Sequence, residues 1–167
     1  MQRVVAAKLR LMNRHFNGAY ILSLLLLSIN TLGQHRMNVS LPLPQLRVNS
    51  SFGKRIHPIT RQPDLHKGVD LAASCDPVFS IMDGTISDTG FNFKLGNYIR
   101  ITHGEFQSIY GHLSQILVAS GQPVTAGEPI GITGATGRVT GEHLHFSIRF
   151  KDKFINPLHF LRSLLLP

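Results

Sequence analysis

The stretch "TGEHLHFSIRF", residues 140–150, alternates polar and apolar residues in the period-2 pattern of a half-buried β-strand. Because successive side chains of a strand point to opposite faces, one face is predicted to be apolar and to pack on a core. The apolar face carries Leu144, Phe146, Ile148 and Phe150, and the polar face carries His143, His145, Ser147 and Arg149. Two imidazoles about 6.6 Å apart on an open face can bind one metal ion together. Alternatively, one binds the ion while the other lies beside an open coordination position.

The segments around this strand also predict β-structure. Residues 96–104 and 106–118 alternate in the same way, and residues 121–137 are dense in Gly and Pro between short apolar pairs. "PVFSIMDGTISDTG", residues 77–90, predicts a strand, a turn at Asp83–Gly84 and a second short strand. A helix is predicted only for "NPLHFLRSLLL", beginning near Asn156 with Pro157 at its first position. The expected fold class is mainly β, an antiparallel sheet or barrel-like sandwich.

The beginning of the chain has the pattern of a targeting segment. A basic stretch is followed by the apolar run "AYILSLLLLSI", residues 19–29, which is too short to span a bilayer as a helix. We therefore expect a signal peptide or N-terminal anchor over residues 1–33, with either Met1 or Met12 as the true start. Residues 34–47 are predicted to be a linker because Pro42 and Pro44 oppose a helix. The folded domain is expected over residues 48–167.

The formal net charge of +8 has an uneven distribution. The first 36 residues carry five Lys and Arg and no acidic residue, and the remainder carries 12 Lys and Arg against 9 Asp and Glu. No basic stripe is interleaved with aromatic residues, which argues against nucleic-acid binding. A mildly basic domain suits an anionic polymer such as the cell wall. Cys75 is the only cysteine, which excludes an intrachain disulfide, and it is interpreted as a small apolar side chain in a turn rather than as a zinc ligand.

Further residues of metal-site type lie upstream of the histidine pair. "DLHKGVDLAA" places His66 and Asp70 four residues apart, an even offset that puts both on one face of an extended segment. With one histidine of the later pair they would make three protein ligands, the number typical of catalytic zinc. His112, in "YGHLS", can transfer a proton near neutral pH. With nine histidines in the chain, spacing alone neither separates a metal site from chance nor chooses the ligand within the pair.

These motifs, taken in order, resemble the M23 peptidases, the LytM/lysostaphin-type zinc metalloendopeptidases that cut peptidoglycan peptides. The similar region runs from about Val48 to Pro157. It includes "SSFGKRIHPIT", "HKGVDLAA", "GNYIRITHG", "IYGHLSQI" and "GQPVTAGEPIGITGATGRVTGEHLHFSIR". The resemblance implies a β-fold of the duplicated hybrid motif type and a catalytic domain over residues 48–167. The chain departs from the family pattern at "SCDP", residues 74–77, and at Ser147, where an acidic residue is frequent.

The resemblance also implies a role for each candidate residue. His66, Asp70 and His145 match the metal ligands, which would bind Zn²⁺, whereas His143 and His112 match catalytic histidines. His57, His103 and His159 match no catalytic position and are interpreted as structural. All five family positions are occupied in this chain, which favours an active enzyme over a degenerate member.

The function expected from the resemblance is that of an exported zinc endopeptidase. It would hydrolyse peptide bonds in peptidoglycan stem peptides or cross-links in the periplasm or cell envelope, touching the membrane only transiently through its signal segment. Service to an envelope machine is compatible with this activity. The alternative is a catalytically idle wall-binding or amidase-activating module on the same fold. Because Arg149 shares a strand face with the histidines and can pair with a carboxylate, stem-peptide cross-links are predicted to be preferred over pentaglycine.

Overall fold

The computed structural model describes residues 38–56 and 61–166, so the predicted signal segment and His57 lie outside the described residues. The described part contains twelve strands and one helix. The strands are β1 Val48–Ser50, β2 Gly53–Ile56, β3 Pro63–His66, β4 Val69–Ala72, β5 Pro77–Phe79, β6 Gly84–Asn92, β7 Gly96–His103, β8 Phe106–Ile116, β9 Pro123–Val124, β10 Pro129–Thr133, β11 His143–Phe150 and β12 Lys153–Ile155, and the helix is α1 Pro157–Leu165.

Ten of these strands form one antiparallel sheet. Seven of them follow the order β1-β4-β11-β8-β7-β6-β9, while β10 joins β8 and β5, and β12 joins β11. The strands β2 and β3 form a separate two-stranded sheet. The predicted mainly-β antiparallel fold class is confirmed. The strand with the histidine pair, β11, lies between β4 and β8 and is therefore held on both edges.

The apolar face of β11 packs in the core as the alternation predicts. Leu144, Phe146 and Ile148 have no exposed surface, and the neighbouring strand contributes the fully buried Tyr110. The Tyr110 hydroxyl accepts a hydrogen bond from the main-chain N–H of Ile81 at 3.1 Å. Burial raises the pKa of Tyr110 to about 12, so this hydroxyl stays neutral inside the core. The packed core therefore fixes the position of β11, whose opposite face carries the two histidines.

The two strands predicted within residues 77–90 are present as β5 and β6, but they do not pair with each other. Strand β5 pairs with β10, whereas β6 pairs with β7 and β9, and β6 is nine residues long rather than short. The connection between β5 and β6 passes through the interior, where Ile81 is fully buried and Met82 is 6% exposed. Since both side chains must be covered, the chain crosses between strands instead of folding back as a hairpin.

The predicted helix is present as α1. The side chain of Asn156 caps it by accepting a hydrogen bond from the main-chain N–H of Leu158 at 3.0 Å, and Pro157 stands at its first turn. Phe160 and Leu161 bury its inner face against the sheet. No helix within the described ranges is long and apolar enough to cross a membrane.

The described part of the predicted linker, residues 38–47, contacts the domain. Leu43 is 1% exposed and belongs to the core. The main-chain N–H of Ser40 donates to the carbonyl of Ile81 at 2.9 Å, and that of Phe79 donates to the carbonyl of Pro42 at 3.0 Å. These residues therefore pack on the core and along the segment from Phe79 to Ile81, and the domain boundary at residue 48 stays a prediction.

Candidate metal centre

The structure brings His66 and Asp70 together from two consecutive strands rather than from one extended segment. His66 ends β3 and Asp70 lies in β4, with Lys67 and Gly68 between the strands. A side chain at Gly68 would place its Cβ 2.5 Å from Ser147 Oγ and 2.6 Å from the carbonyl oxygen of Phe146. The short connection therefore requires glycine, because it runs directly against β11.

Three side chains converge at this point with their donor atoms in contact. His145 lies opposite Asp70 in the β4–β11 pairing, and its Nδ1 is 2.8 Å from Asp70 Oδ1. The Nε2 atom of His66 is 3.1 Å from the same carboxylate oxygen and 3.2 Å from His145 Nδ1. Two imidazole nitrogens and one carboxylate oxygen are a donor set that zinc prefers, and three protein ligands leave one position open. The group therefore fits a metal ion.

The orientation of the two imidazole rings in this group is set by oxygen atoms behind them. His66 Nδ1 is 2.9 Å from the carbonyl oxygen of Ser51, which can only accept, so Nδ1 carries the proton and the Nε2 lone pair faces the group. His145 Nε2 is 3.0 Å from Ser147 Oγ, and Ser147 is 2% exposed. If that hydroxyl accepts the Nε2 proton, the Nδ1 lone pair of His145 faces the group.

Asp70 is held in its ionised form by its surroundings. Burial alone would raise the pKa of Asp70, but hydrogen bonds with His145 and His66 hold the pKa well below its usual range. Arg55, from β2, places its Nη1 3.0 Å from Asp70 Oδ2, which leaves Oδ1 to the histidines. The sequence analysis missed this contact. Arg55 lies in the quoted stretch "SSFGKRIHPIT", but no spacing rule connects it with Asp70.

The two remaining histidines lie beside this group. The ring centroids of His112 and His143 are 4.7 Å apart, and that of His112 is 5.8 Å from that of His145. His112 Nδ1 is 2.9 Å from the carbonyl oxygen of Thr136, and His143 Nδ1 is 2.9 Å from that of Gly141. Each Nδ1 therefore donates a hydrogen bond to a carbonyl, and each Nε2 remains available for proton transfer.

His112 occupies an unusual backbone position. The β7–β8 pairing shifts register between Asn97 and Ile99, so that Gly111 and His112 of β8 oppose the single residue Tyr98 of β7. His112 has a φ of 65°. A bulge of this kind re-aims a side chain and stores about 1–3 kcal/mol of strain for a residue other than glycine. Burial lowers the pKa of His112 to about 4, so the ring is neutral near pH 7. Such a ring can accept a proton.

The five residues open into one cleft of about 400 Å³. Its lining includes five cationic side chains and two carboxylates: Arg55, Lys67, Lys94, Arg100 and Arg138, with Asp64 and Asp70. Ser147 lines the cleft as predicted, but the predicted contribution of Arg149 is wrong. The guanidinium of Arg149 pairs with Asp152 at 3.2 Å and lies over the ring of Phe154 at 5.5 Å, outside the cleft lining.

The other predicted side chains lie away from the group. Cys75 is exposed in a turn with a φ of 54°, and within the described residues it belongs to no set of metal donors. His159 is exposed on α1. His103 is fully engaged, with Nδ1 2.9 Å from the carbonyl oxygen of Asp83 and Nε2 2.8 Å from Ser108 Oγ. The structural interpretation of His103 agrees with these contacts.

Known proteins share both the sequence and the fold of this region. The peptidoglycan DD-endopeptidase ShyA of Vibrio cholerae is 40% identical over 115 residues, which cover 67% of this chain and 27% of ShyA. The structure of a zinc-containing peptidase from Vibrio cholerae superposes with a TM-score of 0.64 at 36% identity, covering 72% of this chain and 38% of that one. The catalytic domain of lysostaphin from Staphylococcus simulans gives 0.64 at 30% identity, covering 71% and 93%.

The chain spans only about a quarter of the length of the curated relatives that it matches. Within the chain, however, the model of peptidase family M23 matches residues 64–157, which is more than half of its 167 residues and includes all five candidate site residues. The chain therefore belongs to peptidase family M23.

Proposed function

We propose that this protein is a zinc-dependent endopeptidase that hydrolyses peptide bonds in peptidoglycan stem peptides or their cross-links. The observation that carries the proposal is the group of His66 Nε2, Asp70 Oδ1 and His145 Nδ1, with two further histidines at its edge. Those three atoms would hold the zinc ion. Bound zinc supplies a Lewis acid that polarises a carbonyl and lowers the pKa of a coordinated water.

The proposed roles of His112 and His143 in proton transfer follow from their contacts. His112 is neutral near pH 7 and its Nδ1 is tied to the carbonyl of Thr136, so its Nε2 accepts the proton of the attacking water. His143 Nδ1 is tied to the carbonyl of Gly141, so its Nε2 is the nitrogen left for proton transfer. His143 then gives a proton to the leaving amine, and the protons are re-equilibrated with solvent. No covalent intermediate with the protein is required.

The substrate class is supported by a relative and by the charge of the cleft. ShyA, which is 40% identical over the shared region, is described as a peptidoglycan DD-endopeptidase. Cationic side chains outnumber carboxylates five to two in the lining, and one of the two carboxylates is Asp70. A cleft of this charge favours a peptide with free carboxylates. Stem-peptide cross-links are therefore proposed as substrates in preference to pentaglycine, on the charge of the whole cleft rather than on Arg149.

The proposed site of action is the periplasm or cell envelope, reached by export through the segment over residues 1–33. An idle wall-binding or amidase-activating module would have no need for the complete set of donor atoms and paired histidines. No observation favours service to one particular envelope machine. Fractionation of a bacterium that expresses the full chain tests export, and retention in the cytoplasm at full length would contradict it.

The experiment that tests the activity is digestion of purified peptidoglycan by the full chain. We expect release of cleaved cross-links, identified by mass spectrometry of the muropeptides, loss of this activity with a chelator, and recovery when zinc is added back. A His112→Ala variant that still contains zinc serves as the control for a contaminating hydrolase. Equal release by the wild-type chain and this variant would contradict the proposed enzyme.

A further inference from the structure

Arg100 lies on the floor of the cleft, two strands away from the metal-donor group. In β7 it pairs with Ile109 of β8, and Ile109 pairs with Ser147 of β11. Residues directly opposite each other in an antiparallel sheet share a face, and all three line the cleft. Since neighbouring strands are about 4.8 Å apart, the backbone of Arg100 is about 10 Å from that of Ser147.

The guanidinium of Arg100 is positioned by an aromatic ring and one carboxylate, but its ion pair is long. It stacks over the ring of Tyr98 at 4.9 Å. Its nearest carboxylate, Asp88, is 3.5 Å away and is shared with the Tyr98 hydroxyl, which donates to the same oxygen at 2.8 Å. Arg100 therefore has donor capacity left for a ligand in the cleft.

We propose that Arg100 is a specificity-determining residue that binds a free carboxylate of the substrate away from the bond that is cut. This inference rests on the proposed function and adds a subsite to it. An extended peptide advances about 3.3 Å per residue. After allowance for the reach of the arginine side chain, the carboxylate would belong to a residue roughly two or three positions from the scissile bond. A planar guanidinium suits a carboxylate because it can donate two parallel hydrogen bonds.

Arg149 provides the matched control for this assignment. It lies on the same face of the sheet, in β11, and its guanidinium is 3.2 Å from the carboxylate of Asp152, but it does not line the cleft. Removal of either arginine changes the net charge of the domain by the same amount. A general electrostatic effect would therefore appear in both variants, whereas a subsite effect would appear only in the Arg100 variant.

The test compares two cross-linked muropeptides that differ only in whether their free carboxyl groups are carboxylates or carboxamides. With the full chain we expect Arg100→Gln to lower kcat/KM on the acidic muropeptide about 10- to 100-fold, mainly through KM, as for loss of a hydrogen bond to a charged group. On the amidated muropeptide the same variant should stay within about twofold of wild type. Arg149→Gln should stay within about twofold on both. Arg100→Lys should recover part of the loss.

Direct binding separates this inference from the proposed activity. If the wild-type chain cleaves neither muropeptide, the proposed function fails, and the Arg100 subsite is judged by titrating the acidic muropeptide into chelator-treated protein. Arg100→Gln must then weaken binding of the acidic form and not of the amidated form. An equal loss on both forms, or an equal loss in Arg149→Gln, would overturn the assignment. Arg100→Lys and a thermal melt of each variant identify a simple folding defect.

Discussion

Two half-buried histidines of this protein have almost the same neighbour on one ring nitrogen and different neighbours on the other. His103 Nε2 is 2.8 Å from the hydroxyl of Ser108, and His145 Nε2 is 3.0 Å from the hydroxyl of Ser147. The second nitrogen of His103 meets a main-chain carbonyl, that of Asp83. The second nitrogen of His145 meets a carboxylate and another imidazole.

This difference separates a structural histidine from a ligand candidate. A carbonyl oxygen can only accept, so it fixes a proton on Nδ1 of His103 and uses up that nitrogen. Around His145 the other donor atoms, His66 Nε2 and Asp70 Oδ1, also offer lone pairs. Several lone pairs directed at one point are favourable only when a cation or shared protons lie between them. Partial burial and a serine partner are thus common to both histidines, and the neighbour of the second ring nitrogen distinguishes them.

The largest expected effect comes from breaking the donor group around His145. His66→Ala, Asp70→Ala and His145→Ala should each remove most of the zinc from the purified full chain, which we expect to hold one zinc per chain. His103→Gln should leave zinc content unchanged. Metal analysis by mass spectrometry measures this directly. Full retention of zinc in all three ligand variants would contradict the site, and zinc loss in His103→Gln would remove the contrast between the two histidines.

The next effect concerns the histidines that lie beside the group without belonging to it. His112→Ala and His143→Ala remove no proposed ligand, so zinc should stay bound while the rate falls about 10²- to 10⁴-fold, as for a positioned acid or base. Steady-state hydrolysis of a cross-linked muropeptide, together with zinc content, gives both quantities. Loss of zinc in either variant would assign that residue to the ligands instead.

A smaller effect is expected when the serine partner alone is removed. Ser147→Ala leaves Nε2 of His145 buried without its hydroxyl, so the ring no longer has a preferred tautomer and zinc affinity should fall about 10- to 100-fold. Ser108→Ala makes the same change next to His103 and should leave zinc affinity unchanged, although it can lower thermal stability. Competition with a chelator measures the affinities. Equal affinities in the two variants would show that Ser147 does not orient the ligand.

The smallest effect is the pH dependence contributed by His103. Burial lowers the pKa of His103 below its ordinary value of 6.5, so the unfolded chain binds the proton more readily than the folded one. Stability from this residue is therefore full above about pH 6.5, the unfolded value, and falls as the pH drops from there toward the folded pKa. An NMR titration of the His103 ring in zinc-loaded protein, with His103→Gln to assign its signals, should give a midpoint below 6.5. A midpoint above 6.5 would contradict it.

Much of the fold was readable from local patterns. The alternation in "HLHFSIRF" predicts which side chains of β11 are buried, and the structure buries Leu144, Phe146 and Ile148 completely. The Asn156–Pro157 pair predicts the start of α1 because a capping side chain and a prefixed φ act within a few residues. The pairing of β5 could not be read in this way, since it depends on β10, some fifty residues further along the chain.

The sequence by itself determined the residue types of the site, the face on which His143 and His145 lie, and the family resemblance that points to five residues. Only the tertiary structure decided that Arg55 pairs with Asp70, that carbonyls of Thr136 and Gly141 orient His112 and His143, and that Arg100 rather than Arg149 lines the cleft. The reason is physical. Strand alternation follows from the geometry of a single backbone, whereas these contacts depend on the register between distant strands and, for the carbonyls, on main-chain atoms that every residue type possesses.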